Sequence, residues 1–400
     1  MRRPRLKHAL SAVYLLIFAV LAFMFFTNDF GLLDLRKTSV VIGVALDTEG
    51  DDVVLTAQLA VPQPAENGEN TKFNIVTGTG PTIASALNEI NVKTGFYPKL
   101  VFCKLIVIGE SCFDRDLKTL LDYFFRNEYT GLTLSVAACE GKASELIAQQ
   151  FPCGNSATDV IDKLLSDEAR ASGNVSTTTV KALGEKLFSP SECAYMPYLE
   201  NGILEEEGGG EGGGSGGESG GSGGGGGGSQ QCEESELVCD KCAVFSEGVC
   251  KGVLSNDQTF ALNLLYGNVR HAFMESGESG EGHVLGLRDC KGDVVFKVEG
   301  DSAMLELKFG ATVKIQDDER GFSPEKVKEG GVKDEILRTG EDTVCALFES
   351  LFNEIKSLGC DVFGLRTKLY KNYYGRYEEM KDGVYDNLEF KCAVRLKSSS

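Results

Sequence analysis

Between Glu341 and Lys397 the sequence carries two periodicities that have to meet. Val344, Leu347, Phe348, Leu351, Phe352, Ile355 and Leu358 recur at steps of three and four, which is one apolar stripe of a helix. Gly359 follows as the stop, because glycine takes the left-handed geometry that closes a helix without a Cβ clash. Leu388, Phe390, Cys392, Val394 and Leu396 then alternate with Glu389, Lys391, Ala393, Arg395 and Lys397, the period of a strand with one apolar face. The simplest packing lays the stripe on that face, which makes an α+β layer and no doubly wound sheet.

The same two periods organise the rest. Val40 to Leu46 and Val53 to Val61 read as a hairpin, and Phe73 to Val76 as a short strand. Pro81-Thr82 opens a helix whose Ile83, Ala86, Leu87 and Ile90 share one face, closed by Gly95. Leu100 to Ile108 is almost continuously apolar, as expected of a central strand covered on both faces. A helix over Asp114–Arg126, a strand over Leu132–Cys139, helices over Lys142–Gln149, Thr158–Leu165 and Thr179–Leu187, and an extended Ala194–Leu199 follow. Gly208 to Ser229 contains only Gly, Ser and Glu, so it forms no core and acts as a flexible linker spanning about 25 Å. Past it, Cys242–Phe245 and Val249–Leu254 form a hairpin around Glu247-Gly248. Ser255 caps a helix running to Leu265, with Phe260, Leu264 and Leu265 inward. Strands at Val284–Leu287, Val294–Val298 and Met304–Ile315 precede the long helix.

Ala9 to Phe26 carries no charge and is long enough to cross a bilayer as a helix. Arg2, Arg3, Arg5 and Lys7 precede it, which keeps the N-terminus in the cytoplasm and places the body outside. Phe23-Met24-Phe25-Phe26 offers no small residues for a signal peptidase, so the helix reads as an uncleaved anchor. The expected class is therefore α+β: a single N-terminal transmembrane anchor followed by two or three small mixed sheet/helix domains. The boundaries are 1–30 for the basic segment and anchor, 31–203 for the N-terminal α+β part, 204–235 for the linker and 236–400 for the C-terminal α+β domain. The whole chain has a net charge of -19, and an acidic body of that kind repels nucleic acid and anionic lipid head groups.

Candidate sites are few. The three histidines, His8, His271 and His283, lack a catalytic partner in a recognisable spacing. The Gly213–Gly217 and Gly220–Gly224 matches to a serine-hydrolase elbow are what a glycine run produces by chance. Gly78-Thr79-Gly80-Pro81-Thr82-Ile83 sits where a phosphate loop would, but it lacks a third glycine and Pro81 removes an N–H. The nearest approach to a metal set is Cys232, Cys239, Cys242 and Cys250. It has one CxxC where four-cysteine zinc sites usually show two, and strand parity, for a two-residue turn at Glu247-Gly248, sends Cys242 and Cys250 to opposite faces. We expect no enzyme, no cofactor and no metal, with most of the 13 cysteines buried as free thiols. Tyr370, Tyr373, Tyr374 and Tyr377, interleaved with Lys368, Lys371 and Arg376, form a candidate partner surface; the alternative is that half of them pack onto the sheet.

The order of these signals resembles the Ger(x)C family, the C subunits of nutrient germinant receptors in spore-forming bacteria. The resemblance rests on Val41-Ile42-Gly43-Val44-Ala45-Leu46-Asp47, on Thr82–Ile90, and on Leu100–Glu110 with the Leu117–Phe125 helix. It continues in Ala243-Val244-Phe245, Lys251-Gly252-Val253-Leu254, the long helix and Asp361-Val362-Phe363-Gly364. Family members are typically lipoproteins, whereas the first cysteine here is Cys103, so the lipobox is missing and the N-terminal helix must anchor the chain. The resemblance implies a non-enzymatic subunit in spore germination, on the outer face of the spore inner membrane. It implies partners in two integral membrane subunits, the A- and B-type chains, and a docking or gating role across the linker. The alternatives are an anchored envelope scaffold or a metal protein built on the cysteine cluster.

Overall fold

The computed structural model describes residues 4–27, 38–60, 73–149, 151, 156–202, 236–267, 269–277, 282–300, 302–318, 327–328, 331–386 and 388–399. Helix α1 is Pro4–Thr27. The first half then holds strands β1 (Thr38–Glu49), β2 (Asp52–Ala60) and β3 (Phe73–Gly80), helix α2 (Ile83–Thr94), and strands β4 (Tyr97–Lys99) and β5 (Leu105–Gly109). It continues with α3 (Leu117–Leu120), α4 (Asp122–Arg126), β6 (Ser135–Cys139), α5 (Ala143–Ala148), α6 (Ala157–Leu164), α7 (Asp167–Ala171), α8 (Val180–Leu187) and β7 (Cys193–Gly202). The second half holds β8 (Glu236–Ser246), β9 (Val249–Leu254), α9 (Asn256–Tyr266), β10 (His271–Ser276), β11 (His283–Glu299) and β12 (Ser302–Asp318). It ends with β13 (Val327–Lys328), β14 (Gly331–Val332), α10 (Asp334–Ser357), α11 (Leu365–Asn372), α12 (Tyr374–Met380) and β15 (Leu388–Ser398).

The result is a mixed α+β protein with two main sheets. The first runs β3-β2-β1-β5-β6-β7-β8-β9, and β4 lies in line with β5 along the same edge of β1. Strands β1, β5, β6 and β7 are mutually parallel, which requires crossover helices and covers both faces. Accordingly Ile106 and Ile108 of β5 enter one core, under α2 to α4 and α8, while Leu105 and Val107 enter another, under α5 and α6. The expected two-sided strand is thus central, but it begins only at Leu105. Ile83, Ala86, Leu87 and Ile90 are the buried face of α2, and Gly95 closes it with φ 74°. The single helix expected over Asp114–Arg126 is two short ones, divided at Leu121.

The second sheet runs β10-β11-β12-β15, antiparallel except for the parallel β12/β15 pair. Helix α10 lies on it, burying Val344, Phe348, Leu351, Phe352 and Ile355. Phe352 stacks on Phe390 at 4.4 Å and Phe348 meets Phe309 edge-on at 6.2 Å. The helix starts at Asp334, well before the expected Glu341, and runs through Gly340. A Cβ on Gly340 would sit 2.9 Å from Leu285 and 3.0 Å from Leu396. The glycine is therefore a close-approach residue in mid-helix rather than a stop.

The segment 204–235 lies outside the described residues, but its flanks meet. Gly202 pairs with Glu236 in a continuous β7/β8 ladder. The segment therefore connects neighbouring strands of one sheet, and the second half of the chain begins inside the first half's sheet. Strand β8 serves three cores: Ala243 and Phe245 in one, Cys242 and Val244 in a second, Cys239 in a third. Helix α9 packs on β8 and on β11 of the second sheet. It is buried at every position from Thr259 to Leu265, as expected of a helix covered all round. A shared ladder and a shared helix hold the two halves together.

Candidate functional site

The C-terminal helical segment is positioned by a buried carboxylate. Asp361 follows α10, and its oxygens accept from Leu365 N at 2.7 Å, Arg366 N at 2.8 Å and the Tyr385 hydroxyl at 2.9 Å. These bonds cap α11, which Gly364 enters with φ 68°, a geometry that favours glycine. Val362 and Phe363 fill the core beneath. Ser191, just before β7, lies beside the Asp361 carboxylate and lowers its pKa, and its hydroxyl lies 2.7 Å from that of Thr367 on α11. Burial pushes Asp361 above the usual carboxylate range, against the lowering effect of its donors on Ser191, Arg366, Leu365 and Tyr385. The cluster joins the two halves of the chain, and the thiols of Cys193 on β7 and Cys360 lie close enough beside it to influence each other's ionisation.

On the far side of this cap stand the four tyrosines. Tyr373 and Tyr377 pack against the core, Tyr373 edge-on to Phe296 at 6.2 Å. Tyr370 and Tyr374 are 44% and 70% exposed. Tyr370 meets Tyr374 and Tyr377 edge-on at 5.3 and 5.2 Å, so the exposed rings are fixed by the buried ones. Lys368 donates to Val294 O at 2.8 Å and Arg376 donates to Gly300 O, which ties the segment to β11 and the turn after it. The arrangement is rigid, aromatic and half solvent-facing. It suits contact with another protein.

The cysteine set is dispersed. Cys232 lies outside the described residues, and Cys239, Cys242 and Cys250 pack against three different cores. Phe245 faces Cys250 across a turn at Glu247-Gly248, with φ 55° and 84°. Cys242 faces Leu254 and points to the opposite side. Among the described residues no group of three or more His, Cys, Asp or Glu is placed to hold a metal. Burial raises Cys103 and Cys112 to about 12 and Cys242 and Cys250 to about 11, so thiolate, the form that ligates and reacts, is disfavoured. Metal analysis of the purified chain should find zinc well below one per chain; one per chain would require Cys232 to recruit a rearranged β8–β9 hairpin. Eleven described cysteines are free. A disulfide-exchange reagent at pH 8 should therefore label the native protein slowly and the denatured, unreduced protein at most of its cysteines.

The other sequence candidates have structural roles or lie apart. The turn at Gly78–Thr82 packs β3 on α2: a Cβ on Gly78 would lie 2.1 Å from Ala86 O, and Thr82 caps α2 through Ser85 N. His271 is exposed on β10 and His283 opens β11. The glycine-run matches at Gly213–Gly217 and Gly220–Gly224 lie outside the described residues. Two carboxylates escaped the sequence reading as organisers. Besides Asp361, buried Asp47 at the end of β1 accepts from Ala143 N at 3.0 Å and Ser144 N at 2.8 Å, capping α5 from another element. The signal was an acid ending a buried apolar run, where a charge needs several donors.

Residues 33–201 match the family model described as spore germination protein N-terminal domain. Residues 240–398 match the one described as spore germination B3/GerAC like, C-terminal. A solved structure titled crystal structure of the GerBC protein shares the fold with a TM-score of 0.50 and 13% identity, over 89% of this chain and 96% of that one. No curated protein matches the sequence. With both halves matched in order, and with the Asp361 cap and the β7/β8 ladder joining them, the chain belongs to the GerAC-like family of spore germination proteins.

Proposed function

We propose that this protein is a membrane-anchored, non-catalytic subunit of a nutrient germinant receptor, docking on integral membrane subunits of the A and B type. The observation that carries the reading is the adjoining pair of spore-germination domains over 33–201 and 240–398. Helix α1 supports the anchor: it is 24 residues long, about 36 Å at 1.5 Å per residue. Its described side chains from Val13 to Met24 are largely exposed and uncharged. Among the residues whose side chains are described, which in α1 are Val13–Met24, no helix is long and apolar enough to cross a membrane; the uncharged stretch of the sequence runs further, from Ala9 to Phe26. The body then lies on the outer face of the spore inner membrane, and the exposed rings of Tyr370 and Tyr374 serve as a docking surface.

Affinity purification of the tagged chain from detergent-solubilised dormant-spore membranes should recover two polytopic membrane proteins in comparable amounts. Recovery of the chain alone, or its absence from spores, would instead support an envelope scaffold. A double variant, Tyr370→Ser with Tyr374→Ser, should lose those partners while keeping its circular dichroism spectrum. Retention of both partners would move the interface elsewhere. Such exposed aromatic anchors each contribute about 2 kcal/mol when they are interface hot spots.

A further inference from the structure

The parallel strands of the first sheet bring several exposed apolar residues to one end. Strands β1, β4, β5 and β6 run in the same direction, so the segments that lead into them lie together. Those segments carry Phe96, Tyr97, Val101, Phe102, Tyr129 and Leu132, all exposed, with Phe102 at 50% and Leu132 at 54%. Lys99 joins two of them, its Nζ 5.5 Å from the Tyr97 ring centroid and 4.9 Å from that of Tyr129. Other exposed large apolar residues, such as Phe188, Val253 and Phe273, sit on separate elements. The run Leu100–Lys104 was expected to be strand; instead it turns outward, burying Leu100 and Cys103 and presenting Val101 and Phe102.

The place of this end in the chain says what covers it. Strand β1 is the first element of the body, and Thr38 pairs directly with Tyr97. The chain arriving from α1 therefore enters the body one strand spacing from the patch, about 4.8 Å. Only residues 28–37 separate the two elements, a reach of at most about 40 Å when extended. We infer that the Phe96–Phe102 and Tyr129–Leu132 segments seat the body on the lipid surface beside the α1 anchor, as a second contact with the membrane. Tyrosine rings and a lysine laid along them match the headgroup region, where amphipathic side chains keep an apolar body in the acyl boundary and a polar tip in water. Phenylalanine and leucine at the loop tips supply the buried apolar area. The contact would hold the body in one orientation, leaving the tyrosine face to meet the neighbouring subunits.

This inference rests on the anchored reading above, and one experiment separates them. The chain contains no tryptophan, so Phe102→Trp installs the sole tryptophan in the patch, whose emission is excited selectively over that of the tyrosines. Phe273→Trp, on the outer strand of the other sheet, is its control. Each full-length variant is reconstituted into vesicles of phosphatidylcholine or of the dibrominated lipid and floated on a density gradient. Brominated lipid should quench most of the emission of Phe102→Trp, with a blue-shifted maximum, and leave Phe273→Trp unquenched. Flotation of both variants with equal, water-like, unquenched emission would overturn the lipid contact while leaving the anchor intact. Failure to float would overturn the anchor, and the lipid contact with it.

Discussion

Phe348→Ala should cost about 4 kcal/mol of stability, read by urea denaturation of the purified chain against wild type. Phe348 is fully buried on the inner face of α10 and meets Phe309 of β12 edge-on, at 6.2 Å and 85°. Its removal deletes the transfer free energy of the ring and leaves a cavity between a long helix and a paired sheet, neither of which can collapse freely into it. The edge-on contact adds up to about 1 kcal/mol to that loss. Leu347, one position away and only partly buried, should cost about 1 kcal/mol when changed to alanine. Equal effects at the two positions would mean that α10 does not present this face to β12.

That pair of positions also shows what kind of information the sequence held. The stripe on α10 and the alternation on β15 were legible because each side chain faces one core, so period and burial coincide. Where a segment serves more than one core, period fails. Helix α9 reads as weakly one-sided, yet it is buried from Thr259 to Leu265 between β8 and β11. Strand β10 went unread because its inward set is Ala272, Met274 and Ser276, while Phe273 points outward. Strand β11 reads as two strands, because polar residues between Arg288 and Lys291 mark a register shift and not a turn. Pairing partners were invisible for a different reason. That Gly202 faces Glu236 depends on contacts across a segment with no pattern of its own.

The candidate site was legible in part. Spacing gathered the four tyrosines and left open that half of them pack inward, as Tyr373 and Tyr377 do. Parity separated Cys242 from Cys250. The family motifs were visible as strings, but their reasons were not. Gly43 lies against Thr158, whose Oγ1 would be 2.1 Å from a Cβ, and Gly109 lies as close to Asp47 Oδ1. These glycines admit a cap and a helix from elsewhere in the chain, a tertiary requirement that no local pattern records.

Asp361→Ala should cost about 3 kcal/mol, and it should loosen the C-terminal segment more than the rest of the chain. The substitution removes the cap of α11 and strands the buried hydroxyl of Tyr385, which loses its carboxylate partner, while Ser191 keeps its bonds to Thr367. Hydrogen exchange should show faster labelling of Leu365–Asn372 in the variant, with the α2 and β5 amides unchanged. Protection of α11 equal to wild type would mean that the cap is dispensable. Asp361→Asn separates charge from shape through its pH dependence. Burial raises the folded-state value of Asp361 above its unfolded one. Its favourable contribution is therefore fully present below the unfolded value, about 3.9, and is lost as pH rises through the folded value. Asparagine does not titrate, so the stability advantage of wild type over Asp361→Asn should shrink between acid and neutral pH. An advantage that grows over that range would show that the donors on Leu365, Arg366, Tyr385 and Ser191 outweigh burial and hold the carboxylate below its unfolded value. The Ser191–Asp361–Thr367 cluster would then be a charged clasp between the two halves of the chain.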